Sequence, residues 1–88
     1  MSSYKLSQNY PNPFNPTTRI EYSVPQNGFV ALKVYNILGQ EVATLFSGVR
    51  ARGSYYATFD GNRLASGVYF YKLNAGSTHI TKKLLLLK

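Results

Sequence analysis

Cysteine is absent from the 88 residues, so neither a disulfide framework nor a thiolate metal cluster can hold the fold together. Stability must come from packing and backbone pairing. Acids are almost as scarce: Glu21, Glu41 and Asp60 are the only carboxylates, and His79 is the one histidine. General acid–base and nucleophilic schemes need two or three such groups converging, so the composition argues against an enzyme. The same scarcity leaves His79 without the three or four ligands zinc requires, and Asp60 with Asn62 supplies too few oxygens for calcium. No cofactor is implied. Long apolar runs are missing too: the longest, Leu84 to Leu87, falls far short of the ~20 residues that cross a bilayer, and no transmembrane segment is expected. The opening residues Met1, Ser2, Ser3 and Tyr4 lack the regions of a signal peptide, so residues 1–5 read as a cloning or linker remnant and residues 6–88 as one domain.

Ten Lys and Arg against three Asp and Glu leave a net charge of +7. Such a balance favours anionic partners. The basic residues are spread along the chain, however, with no basic-and-aromatic motif, Gly-rich phosphate loop or basic helix, so nucleic acid is not among the expected partners. The scaling of surface with mass gives a folded area of about 5,200 Å² against about 14,400 Å² unfolded, enough burial for one thin core.

What the chain has in quantity is aromatic residues, eight tyrosines and five phenylalanines, set in short segments between four prolines and seven glycines. These segments alternate with period two, as half-buried strands do. Residues 19–24 put Ile20, Tyr22 and Val24 on one face; residues 29–35 do the same with Val30, Leu32 and Val34. The Pro-Gln-Asn-Gly turn between them predicts a first hairpin. Residues 40–46 carry Val42 and Leu45 at an odd spacing that predicts a bulge. A flexible stretch, 47–53, leads to 54–60, which aims Tyr55, Ala57 and Phe59 inward. In the loop at 61–67, the Asp60 carboxylate accepts backbone N–H groups and Leu64 plugs the end of the core. Residues 68–74 bury Tyr69, Tyr71 and Leu73. The last strand, 78–88, ends in leucines apolar on both faces and expected to be covered on both. With an extra strand near residues 4–8, turn signals throughout and no helical periodicity, the pattern predicts an all-β, immunoglobulin-like antiparallel sandwich of about seven strands. Pro11, Pro13 and Pro16 make residues 10–18 an extended, rigid lead-in.

Four blocks in order, YPNPFNP at 10–16, VYNILGQEV at 34–42, LASGVYFYKL at 64–73 and TKKLLLLK at 81–88, resemble the C-terminal sorting domain of the type IX (Por) secretion system, type A. They are also similar to the immunoglobulin-like domain of flagellar hook-capping proteins. The resemblance implies a C-terminal secretion signal and surface-anchoring module of a protein exported by a Gram-negative bacterium, through the periplasm to the outer-membrane surface or beyond. It implies an outer-membrane translocon and its shuttle protein as partners, with a sortase that cuts ahead of the domain and joins the cargo to a surface lipopolysaccharide. It assigns recognition to Pro11, Asn12, Pro13, Phe14, Asn15 and Pro16, to Gly67 and Tyr69, and to Lys82, Lys83 and Lys88, with Lys88 as a natural terminus.

Each motif also has a purely structural reading. The proline run would be a rigid cover with Phe14 buried and Asn12 and Asn15 in Asx turns. Gly67 would supply positive φ, Tyr69 a core ring, and the Lys82–Lys83 pair a solvated edge that blocks sheet-to-sheet aggregation. The competing function is a carbohydrate-binding or cell-attachment module of a secreted glycoside hydrolase, stacking sugars on Tyr35, Tyr56 and Phe70. A structural domain of an extracellular assembly is a third.

Overall fold

The computed structural model describes residues 3–88. Among the described residues there are seven strands, β1 (Lys5–Leu6), β2 (Thr17–Val24), β3 (Gly28–Tyr35), β4 (Glu41–Arg50), β5 (Gly53–Asp60), β6 (Gly67–Ala75) and β7 (Thr78–Leu86). They form two antiparallel sheets, ordered β1-β2-β5 and β4-β3-β6-β7, as expected of an immunoglobulin-like sandwich. Among the described residues no helix is long and apolar enough to cross a membrane.

The inward rows are those the alternation marks. Ile20, Tyr22, Val24, Val30, Leu32, Val34, Phe59, Tyr69, Tyr71 and Leu73 are buried, with Leu64 packed against them at one end. The accessible surface, 5209 Å², agrees with the scaling from chain mass. The bulge in β4 is double: the register against β3 shifts between Leu32 and Lys33 and again between Val34 and Tyr35, and the two residues left unpaired are Leu45 and Val42.

Four expectations are corrected. β2 and β3 are not a hairpin: β2 pairs with β5 and β3 with β4 and β6, because the turn at residues 25–27 carries the chain across the core from one sheet to the other. Residues 47–53 are not a flexible stretch, since β4 continues to Arg50 and β5 begins at Gly53. The terminal leucines are covered on one face only; Leu84 and Leu86 are fully buried, while Leu85 is half-buried and Leu87 is 49% exposed. The lead-in is not extended, because Tyr10 and Arg19 exchange both backbone hydrogen bonds at 2.9 Å and close residues 10–19 into a loop.

Candidate functional site

The loop is clamped from inside by Asn9, a buried polar residue. Its backbone N–H donates to the Tyr71 hydroxyl at 2.9 Å, and its Nδ2 donates to Thr18 Oγ1 at 3.0 Å and the Pro11 carbonyl at 3.1 Å. Phe14 drops its ring into the core against Phe59, with centroids 5.8 Å apart. Its backbone pairs with the outer edge of β7: the Phe14 N–H donates to the Leu85 carbonyl, and the Leu87 N–H donates to the Phe14 carbonyl, both at 3.0 Å. Asn12 Oδ1 accepts the Leu85 N–H at 3.0 Å, and Gln8 Nε2 donates to the Lys83 carbonyl at 2.7 Å. β7 is the last strand of its sheet, so these bonds occupy groups that would otherwise invite another strand. Asn12 thus serves β7 and makes no Asx turn of its own. Pro16 closes the loop by accepting the Gly61 N–H at 2.8 Å. Pro11, Pro13 and Asn15 are exposed around this latch.

Gly67 pairs with Leu86 and has φ +149, a conformation that side chains disfavour. Tyr69 is buried, and its hydroxyl donates to the Ala65 carbonyl four residues upstream at 2.7 Å. That is the tyrosine corner of immunoglobulin-like sandwiches, so both residues have full structural employment. The Lys88 N–H donates to Ser66 Oγ at 3.0 Å, and its Nζ donates to the Asn62 carbonyl. Asp60 Oδ1 accepts the Asn62 N–H at 2.9 Å, which orders the loop that Lys88 touches. Lys82 and Lys83 do not act as a pair. Neighbours on a strand face opposite ways: half-buried Lys82 shares the inner row with Ile80 and Leu84, while exposed Lys83 lies on the outer face opposite Phe70.

The block at 34–42 forms the β3–β4 turn. Asn36 Oδ1 accepts the N–H groups of Leu38 at 2.9 Å and Gln40 at 3.0 Å, and Gly39, at φ +81, lets the chain reverse. Below the turn, Glu41 accepts from Thr44 Oγ1 and meets Lys33 Nζ at 3.2 Å; the Thr44 bond and then the Lys33 ammonium hold its carboxyl below the ordinary range.

Register shows where these pieces lie. Tyr35 pairs with Phe70 and Glu41, Gly67 with Leu86, and Thr17 with Asp60; Phe14 and Pro16 join the two sheets at that same end. The proline loop, the β3–β4 turn, the start of β6 and the end of β7 therefore crowd one end of a molecule 37 Å long. Lys5 pairs with Ser23 near the opposite end. Lys82 stands apart on the inner face. Sequence reading missed Asn9 and Gly61, whose roles depend on residues distant in the chain, and it left Ile37 and Leu38 without a role although both sit in a turn, where apolar residues are conspicuous. The three rings proposed as a sugar-stacking face are divided: Tyr35 and Phe70 belong to the four-stranded sheet, whereas Tyr56 belongs to the three-stranded one with Arg19 stacked 3.6 Å over its ring. Among the described residues no group of three or more His, Cys, Asp or Glu is placed to hold a metal.

The model of the family described as "Secretion system C-terminal sorting domain" matches residues 8–87. No curated protein matches the chain.

Proposed function

Because the chain belongs to the secretion system C-terminal sorting domains, which mark proteins for type IX export to the cell surface or beyond, we propose that residues 6–88 are one folded address read at the motif-bearing end. A secretion-signal domain is not itself catalytic, and its work is to be recognised. The observation that carries the proposal is that the proline loop, the β3–β4 turn, the start of β6 and the end of β7, a part of each of the four blocks, meet at one end, with the chain entering the fold near the other. A cargo joined ahead of Lys5 then hangs away from the face offered to the outer-membrane translocon and its shuttle protein. A sortase cutting ahead of the domain, upstream of Leu6, leaves the β7 latch intact.

Within that end the roles differ. Phe14, Gly67 and Tyr69 act by building the fold, and Asn12 by holding β7. The exposed Pro11, Pro13, Asn15 and Lys83 are offered to a partner, as is Lys88 once its ammonium leaves the Asn62 carbonyl, and a surface lipopolysaccharide enters only as the sortase's acceptor. The test is to fuse the chain to the C-terminus of a periplasm-directed reporter in a host with the type IX machinery. Surface delivery that disappears in a translocon-deficient host is expected; equal delivery in both hosts would overturn the reading.

A further inference from the structure

We propose that the β3–β4 turn, with the adjoining outer face of β3, β6 and β7, is a docking surface for an acidic, apolar-anchored segment of a type IX machinery protein. This rests on the sorting-domain reading and goes beyond it by naming the surface and the chemistry of its partner.

The first observation is the turn itself. Ile37 and Leu38 are 72% and 78% exposed and contribute nothing to the core. A β-turn has no need of two branched aliphatics, and solvent disfavours them. Yet the turn is firmly built: besides the two bonds to Asn36 Oδ1, the Asn36 N–H donates to the Gln40 carbonyl at 2.9 Å, the Gly39 N–H to the Asn36 carbonyl at 3.0 Å, and Asn36 Nδ2 to Gln40 Oε1 at 2.8 Å. A tip held in one shape loses little entropy on binding, which is the design of a preorganised anchor.

The second observation is what lies beside the anchor. Tyr35, Ile37, Phe70, Lys72 and Thr81 line a groove of about 350 Å³ on the outer face of the four-stranded sheet. The register sets Lys33, Lys72 and Thr81 in one row across three strands, and Tyr35, Phe70 and Lys83 in the next. An aromatic floor is thus framed by ammonium groups. Lys33 is neutralised by Glu41, whereas Lys72 and Lys83 have no carboxylate within 4.0 Å among the described residues. Uncompensated positive charge around an apolar groove selects a partner carrying carboxylates beside an aliphatic or aromatic anchor. It also disfavours a second copy of this chain, whose own charge is +7.

The experiment uses the whole chain as a reporter fusion in the type IX host. Ile37→Ser with Leu38→Ser is expected to lower surface delivery about tenfold or more, the scale of a lost hot-spot contact, with the melting temperature unchanged. Lys72 is half-buried with its ammonium 5.6 Å from the centre of the Tyr35 ring, so Lys72→Glu, expected to lower delivery likewise, is read beside its own melting curve, and Lys72→Arg should keep delivery. A photo-crosslinking residue at position 38, in the otherwise unaltered chain, should join to the translocon or shuttle protein, identified by its peptides. The same residue at position 58, on the other sheet, should not. Delivery of the turn variant at the parent level overturns the proposal, and so does a crosslink only to a second copy or to lipid. The crosslink decides even where a substitution disturbs folding. Failure of the unmodified fusion to depend on the translocon is a different result and removes the underlying reading as well.

Discussion

The Tyr71 hydroxyl accepts the backbone N–H of Asn9 at 2.9 Å, joining the middle of β6 to a residue 62 positions earlier in the chain. The same hydroxyl donates to the Ser7 carbonyl at 2.7 Å. One buried side chain therefore ties the segment leaving β1 to the core before the proline loop begins. Tyr71→Phe keeps the ring and orphans a buried N–H, which costs about 1–3 kcal/mol. For a domain of this size that is a fall in melting temperature of at least about 4 °C. Burial also raises the Tyr71 pKa above the ordinary 10.0, opposed in part by the Asn9 N–H. The unfolded chain then loses this proton first, so the stability linked to it is complete below pH 10.0 and is lost as pH rises through the folded value. Thermal melts across that window should decline more steeply for the parent than for the Phe variant, and parallel profiles would contradict the assignment.

Gly61 is where the latch and the core come closest. A Cβ there would lie 2.9 Å from Leu86 Cδ2 and 3.3 Å from Phe14 Cε2, and neither side chain has open space to retreat into. Gly61→Ala should cost about 1–3 kcal/mol by overpacking. Urea unfolding measures the loss. Faster amide exchange at Phe14 and Leu87 would locate it at the bonds between the proline loop and β7; protection equal to the parent's would show that the pocket accommodates a methyl.

Tyr69 separates ring from hydroxyl. Tyr69→Ala removes a buried aromatic and should cost about 3–5 kcal/mol, a large part of a small domain's stability. Tyr69→Phe removes only the bond to the Ala65 carbonyl and should cost about 0.5–1.5 kcal/mol. Export by the Ala variant would fail through unfolding. If the Phe variant is as unstable as the Ala variant, the corner bond and not the ring sustains this end.

Strands were legible because their inward residues are large and apolar at period two, as in Ile20, Tyr22 and Val24. Pairing was less so. Asn27 and Gly28 announce that the chain reverses, but whether it stays in one sheet or crosses the core depends on which apolar faces meet, and local sequence carries no signal for that. The shape of the proline loop is hidden from local sequence for a related reason. Its rigidity follows from Pro11, Pro13 and Pro16, while its shape is set by Asn9, Asn12 and Phe14 bonding to Tyr71, Leu85 and Leu87, more than 60 positions away. The opposite orientation of Lys82 and Lys83, by contrast, was available from period two alone. The motif groups them as a pair, and the pleat separates them.

That orientation decides how the basic block should be tested. Lys82 lies half-buried between Ile80 and Leu84, opposite the buried Tyr71, so its methylene stem lies along apolar surface and carries the ammonium outward. Glutamate is shorter and cannot reach as far. Lys82→Glu draws a carboxylate into partly apolar surroundings and should cost about 1–3 kcal/mol. Lys83 is exposed on the outer face, where reversal should change stability by no more than about 0.5 kcal/mol. A double reversal would therefore mix an unfolding effect with a recognition effect, and lost export by that variant would be ambiguous. The single variants separate them. Lys83→Glu should melt like the parent, so its surface delivery reads recognition alone. Lys82→Met, which keeps the stem and removes the charge, should also remain folded. Were delivery lost with Lys82→Met and kept with Lys83→Glu, the recognised charge would be the one emerging between the sheets, and the outer face of β7 would be excluded as the reader of this block.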